Sequence, residues 1–218
     1  MSPTSEAGDE DFLSETLFKR FSTSEFDNTP RKFMPNGDLD ELITRASVLD
    51  AMEIEESESD PQDEMLVEYV LHKAKKVFAI AVSIDLDQQE GLLKNAMQKF
   101  RRYSIDDSKL PFKDTPDSIL ATLEPGVRHR SKIWRESRIH DFFNNQWRFL
   151  VPVFLAHPQT DIRNYSLPSS TIFPVINKQE GPGEGAFGKV FKSEIHPKHI
   201  KYSVKPVRSM HEDQMGEG

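Results

Sequence analysis

Three glycines near the end of the chain have the spacing that most clearly implies chemistry. Residues 183–190 read G-E-G-A-F-G-K-V, which contains the pattern G-x-G-x-x-G. Glycine has no Cβ, so its backbone can turn tightly and approach a phosphate group closely. Two unrelated kinds of nucleotide site use this pattern, and the segment that follows the last glycine distinguishes them.

The segment after Gly188 favours a hairpin over a dinucleotide-binding turn. In a dinucleotide-binding turn the third glycine opens a helix, whose N-terminus faces the pyrophosphate. Residues 189–195 instead contain a β-branched residue, an aromatic residue and partial alternation, with no helical face before His196 and Pro197. We therefore predict a strand here, with the glycines at the tip of a β-hairpin, and we rank a dinucleotide-binding protein low.

A lysine follows at a distance that suits a second phosphate contact. We predict a third strand over residues 202–207, in which Lys205 lies 17 residues after Gly188. Strand alternation would place Lys205 on the face opposite Val204. Pro206 then removes one donor of the strand ladder. His196 and His199 fall in the connection between the strands, where we predict an exposed turn and not a metal site.

The glycine segment and the lysine together resemble the glycine-rich loop and the V-A-I-K strand of eukaryotic protein kinases. Upstream, A-K-K-V-F-A-I at 74–80, S-K-L-P at 108–111 and Q-W-R-F-L-V-P-V-F at 146–154 are similar to a group of filamentous-fungal kinases. Those kinases carry a helical region before the catalytic domain. The resemblance covers roughly residues 65–207.

The resemblance implies ATP and Mg²⁺ as cofactors and a serine or threonine hydroxyl of a protein as substrate. It implies that the glycines cover the phosphates, that Phe187 lies at the loop tip, that Val190 packs on adenine and that Lys205 contacts the α- and β-phosphates. The implied ATP-binding residues are Gly183, Gly185, Phe187, Gly188, Val190 and Lys205. The sequence has no D-F-G and no catalytic loop after the lysine, so it assigns no catalytic residue and no metal ligand.

Only 13 residues follow Lys205. We therefore expect an N-terminal portion of a kinase, truncated after the third strand of its N-lobe, that binds ATP weakly at best and transfers no phosphoryl group. The alternative is a non-catalytic helical interaction or regulatory protein with a vestigial nucleotide loop.

Composition and charge restrict the remaining possibilities. The 218 residues have a net charge of −8, but residues 1–64 carry 18 acidic and 5 basic side chains. Such an acidic segment would repel phosphates, so we expect no nucleic-acid partner. There is no cysteine, no secretory signal pattern and no apolar run long enough for a membrane span. We expect an intracellular, cytoplasmic protein with a protein substrate or a regulatory partner.

The patterns upstream of the glycines predict an α+β chain. Apolar residues at helical spacing predict a helical domain over 38–155, interrupted by an acidic linker at 55–63. A linker at 156–171 leads to a partial kinase N-lobe at 172–208, and disordered tails are predicted at 1–37 and 209–218. The predicted helices span residues 39–54, 64–84, 88–102, 116–123 and 135–150. Asp38 is the predicted cap of the first helix, with Glu41 at capping-box spacing.

Overall fold

The computed structural model describes residues 12–57, 60–112, 133–156, 166–185 and 188–202, and within 182–189 it describes backbone only. These residues form helices and small sheets, which confirms the α+β class. The helices are α1 Leu13–Arg20, α2 Asp38–Leu42, α3 Arg45–Ala51, α4 Pro61–Lys73, α5 Lys75–Val82, α6 Leu92–Arg102 and α7 Glu136–Phe149. The strands are β1 Ser22–Ser24, β2 Arg31–Phe33, β3 Phe154–Ala156, β4 Val175–Gly185, β5 Gly188–Ile195 and β6 Ile200–Tyr202.

Helix α5 is the centre of the hydrophobic core. Its residues from Val77 to Val82 are all fully buried. A helix that is apolar on every side has to be surrounded, and α5 contacts α1, α2, α4, α6 and α7. In the same core, Phe100, Trp134 and Phe142 form an aromatic cluster, with ring centroids 5.6–6.2 Å apart.

The predicted helix over 64–84 is two helices. The chain breaks at Ala74, where φ is −135° and ψ is 29°. The second helix, α5, gains its own N-terminal partners, because the Asp107 carboxylate accepts the N–H groups of Lys76 and Val77 at 3.1 and 3.0 Å. Burial is the main cause that raises the pKa of Asp107. Satisfied donors at the new helix start compensate for the hydrogen bonds lost at the break.

The predicted helix over 39–54 also divides, and its predicted cap is wrong. Gly37, with φ at +91°, is the N-cap of α2, so Asp38 is the first helical residue and makes no cap bond. The buried carboxylate of Asp38 instead forms an ion pair with Lys198 and lies 3.7 Å from Arg20. After a break at Ile43, Thr44 caps α3 and exchanges hydrogen bonds with Ser47.

We expect Thr44→Ala to lower the free energy of unfolding by about 1 kcal/mol, because it leaves an N–H of the first turn of α3 without its acceptor. Ser47→Ala should have a similar cost. Since the two side chains serve one reciprocal cap, the double variant should lose less than the sum of the single losses. Urea denaturation of the three variants measures this coupling, and strictly additive losses would contradict a shared cap.

The prediction of a disordered segment over 1–37 is wrong for residues 12–37. Leu13 and Leu17, one helical turn apart on α1, are buried in the core, and Phe21 stacks edge-on against Phe149 at 5.6 Å. The first turn of α1 is fixed by the Asp87 carboxylate, which accepts the N–H of Ser14 at 3.0 Å. The segment therefore folds onto this chain's own helices. Residues 1–11 lie outside the described part.

The other predicted helices have different outcomes. The prediction over 135–150 is confirmed by α7, Glu136–Phe149. The prediction over 88–102 holds from Leu92 onward, since Gly91 with φ at +63° begins the helix. In the predicted acidic linker, the Asp60 carboxylate caps α4, which begins at Pro61. The predicted helix over 116–123 and the C-terminal tail lie outside the described residues. Among the helices that are described, none has the length and apolarity needed to cross a bilayer.

Candidate nucleotide-binding hairpin

The glycine segment is the tip of an antiparallel hairpin. Strands β4 and β5 pair with Glu184 opposite Lys189 and Gly185 opposite Gly188. A strand, and not a helix, therefore follows Gly188, as predicted. This backbone arrangement argues against the dinucleotide-binding alternative, which needs a helix N-terminus at the third glycine.

A register shift lies directly before the tip. Glu180 pairs with Phe191 and Glu184 pairs with Lys189, so Gly181–Gly183 lie opposite Val190 alone. At Gly181 a Cβ atom would lie only 3.0 Å from the carbonyl oxygen of Val190. Such a bulge bends a hairpin and increases its local twist. Gly181 thus permits a close backbone contact, and the sequence pattern did not single it out.

Among the predicted ATP-binding residues, Val190 is the one whose side chain is described. It is the predicted adenine contact. It is 66% exposed, which is unusual for a valine in a strand. On the following position, Phe191 is shielded by Lys178, whose Nζ lies 4.3 Å from the ring centroid. The ammonium of Lys178 also donates to the Phe26 carbonyl at 2.8 Å. The hairpin is therefore held to the N-terminal segment, while Val190 remains mostly exposed.

A shallow polar cavity of about 290 Å³ lies against the hairpin, lined by Asn177, Gln179, Lys192, Ser193 and Glu194. Its volume is at the lower limit for small-molecule sites. The hairpin alone therefore offers one wall of a site and not an enclosing cleft.

The third predicted strand is not a neighbour of the hairpin in the described region. The predicted strand over 202–207 overlaps the described residues only at Tyr202, the last residue of β6. Strand β6 pairs in parallel with β3, so that Phe154 is opposite Ile200. Within the described residues, Tyr202 therefore pairs with Ala156 of β3 and not with β5. Lys205 and Phe187 lie outside the described residues, and Gly183, Gly185 and Gly188 are described as backbone only.

His199 is buried, in contrast to the predicted exposed turn. Its Nε2 accepts the N–H of Asn36 at 3.0 Å, and its Nδ1 lies 2.9 Å from the Pro152 carbonyl oxygen and donates to it. Both ring nitrogens therefore bind backbone groups and neither is free for a metal. Burial is the main cause that lowers the pKa of His199, and the same cause lowers the pKa of His196. The neutral His199 ring joins three separate segments.

No family model, curated protein or solved structure matches the chain. The assignment of the hairpin therefore depends on its own geometry and on the residues at its tip. Sequence reasoning located the hairpin and its tip glycines, and the same reasoning missed Gly181 and the burial of His199. The G-P-G at residues 181–183 was the one available signal for a bulge, because such residues interrupt strand ladders.

Proposed function

We propose that this chain is the N-terminal portion of an ATP-dependent protein kinase of the serine/threonine type. In this proposal the β4–β5 hairpin covers the phosphates of ATP. The observation that carries the proposal is the antiparallel hairpin with Gly183, Gly185 and Gly188 at its tip. Backbone N–H groups without side chains can reach phosphate oxygens there, which is the geometry of a kinase glycine-rich loop.

Two further residues support the binding of the nucleotide. The exposed side chain of Val190 offers an apolar surface on which adenine can pack. Lys205 is assigned to the α- and β-phosphates because of its place after the hairpin. ATP held by these groups would need Mg²⁺ to neutralise its phosphates, and the sequence has no D-F-G to bind the metal. We expect weak ATP binding and no phosphoryl transfer by this chain alone.

Calorimetric titration of the full chain with ATP and Mg²⁺ tests the proposal. Lys205→Ala should weaken binding about ten- to a hundredfold, because a charge-assisted hydrogen bond to phosphate is lost. Lys201→Ala is the matched control, since Lys201 is an exposed lysine on β6. No measurable heat at millimolar ATP, or equal losses in the two lysine variants, would refute the nucleotide site.

The second candidate is a non-catalytic interaction or regulatory protein that binds a partner through its helices. An apolar groove of about 450 Å³ favours it, at the surface shared by α1, the end of α5 and α7. Phe18 in this groove is 63% exposed, which is unusual for a large aromatic side chain on a folded domain. Absence of ATP binding in the titration, together with an intact fold, would favour this function over the kinase.

A further inference from the structure

A basic groove lies beside the C-terminal half of α7. It encloses about 500 Å³ between α7, strand β2 and the segment near Ser170. Its polar lining consists of Arg31, Lys32, Asn144, Asn145, Arg148 and Ser170. Three cationic side chains and two amides therefore face one space, and none of the described residues that line it carries a carboxylate.

The two sides of the groove are fixed to each other. The N–H of Met34, directly after β2, donates to the carbonyl of Arg148 at 2.8 Å. Phe33 and Trp147 are buried in one small hydrophobic cluster, which holds the strand against the helix. The basic side chains of β2 and the polar side chains of α7 are thus presented together by rigid elements.

Among the described residues, Arg148 lacks the carboxylate partners that Arg20 and Arg45 have. The guanidinium of Arg45 pairs with Glu56 and Glu64, and that of Arg20 pairs with Glu41. Arg148 is half-buried, its Cζ lies 5.6 Å from the ring centroid of Phe21, and no described carboxylate forms an ion pair with it. Burial lowers the pKa of Arg148, with no acidic group acting in the opposite direction. A half-buried cation that pairs with no described carboxylate is well placed to bind an anion from outside.

The other two cations, Lys32 and Arg31, are held mainly by neutral groups, which leave part of their charge available. The Lys32 ammonium donates to Thr23 Oγ1 at 2.9 Å, which uses one of its three hydrogens. Arg31 donates to the Ser170 carbonyl at 2.7 Å and has one weak, partly exposed ion pair with Asp27 at 3.4 Å. These contacts position both side chains before any ligand arrives.

We propose that this basic groove binds a phosphorylated serine or threonine of a peptide partner. A phosphate dianion matches three cations and two amide donors better than a single carboxylate does. The peptide is inferred because Arg148 also borders the apolar groove that contains Phe18 and Phe21. A hydrophobic side chain next to the phosphorylated residue would fill that groove. This site is separate from the nucleotide hairpin and does not depend on it.

The test is fluorescence anisotropy of the full chain with a labelled phosphothreonine peptide library that has a leucine near the phosphate. The unphosphorylated library is the control ligand. We expect phosphopeptide binding that weakens with salt, and an Arg148→Met variant that binds about ten- to a hundredfold more weakly. Methionine keeps an unbranched apolar stem, and no ion pair with a described residue is lost, so the variant should retain its melting temperature. Lys32→Gln should weaken binding in the same direction.

Arg102→Gln is the charge-matched control, because Arg102 lies away from this groove, above the Tyr103 ring. Trp147 lines the groove, so its fluorescence should respond to the phosphopeptide, and Trp147→Phe should remove the response. Equal binding of both libraries, or equal losses in the Arg102 and Arg148 variants, would overturn the proposal. Inorganic phosphate that competes as strongly as the peptide would overturn the peptide assignment. Arg148-dependent binding to anionic lipid vesicles, without any peptide binding, would also overturn the peptide assignment.

Discussion

Replacing Phe142 with alanine should lower the free energy of unfolding by about 3–5 kcal/mol, one of the two largest stability effects expected in this protein. Phe142 is fully buried on α7, and its ring lies within 6.2 Å of the rings of Phe100, Phe112 and Trp134. Removing it leaves a cavity that three neighbouring aromatic rings cannot fill without leaving their own contacts. Urea denaturation followed by circular dichroism measures the loss.

Phe12→Ala provides the matched control for Phe142→Ala. Phe12 is 50% exposed at the start of α1, and its replacement should change the unfolding free energy by less than about 0.5 kcal/mol. The two variants differ in burial and not in the group removed. Similar losses in both variants would show that the buried aromatic cluster contributes no more to stability than an exposed phenylalanine does.

Replacing His199 with alanine should lower the free energy of unfolding by about 2–6 kcal/mol. The buried ring joins the Asn36 N–H to the Pro152 carbonyl, and its removal leaves both backbone groups without partners at about 1–3 kcal/mol each. His72→Ala is the control, because His72 is an exposed histidine on α4 whose ion pair with Glu68 has little effect on stability. Equal unfolding midpoints for the two variants would contradict the bridging role.

The pH dependence of the free energy of unfolding should also depend on the His199 ring. Burial lowers the pKa of His199 in the folded protein below the unfolded value of 6.5. The unfolded chain therefore binds the proton more readily, and this contribution to stability is complete above pH 6.5 and is lost as the pH falls below it. His196 acts in the same direction, so the relevant quantity is the difference between the wild type and His199→Ala. That difference should shrink as the pH falls from 7.5 to 5.

The elements that are determined by local patterns could be predicted from the sequence. Helix α7 has a continuous apolar face between two breaks, and the prediction over 135–150 matched it within one residue at each end. Gln146 on that face shows the limit of such patterns. It is fully buried because its amide exchanges hydrogen bonds with the backbone of Phe112, at 2.8 and 3.2 Å. Its partner is 34 residues away, so no local pattern reveals the pairing.

Distant partners explain the other errors. The break at Ala74 is compensated by Asp107, and the order of α1 depends on Asp87 and on the core face around α5. These partners lie far along the chain from the helices, so the short segments from which the helices were predicted do not contain them. In the candidate site, the tip glycines and the strand after them are adjacent in sequence. The hairpin could therefore be predicted from this local pattern. The pairing of β6 with β3, and the close approach at Gly181, depend on register and were not predictable from spacing.

The junction between β1 and the segment before β4 has a consequence for how the protein is made. The Ser24 hydroxyl donates to the Phe173 carbonyl, 149 residues later, and the Glu25 N–H donates to the Val175 carbonyl. At a translation rate of about 5–20 residues per second, Phe173 is synthesised roughly 7–30 s after Ser24. The Ser24 hydroxyl has no access to this acceptor during that interval. A nascent chain paused before residue 173 would present an unfinished N-terminal edge to chaperones and proteases, even with the helical core already folded.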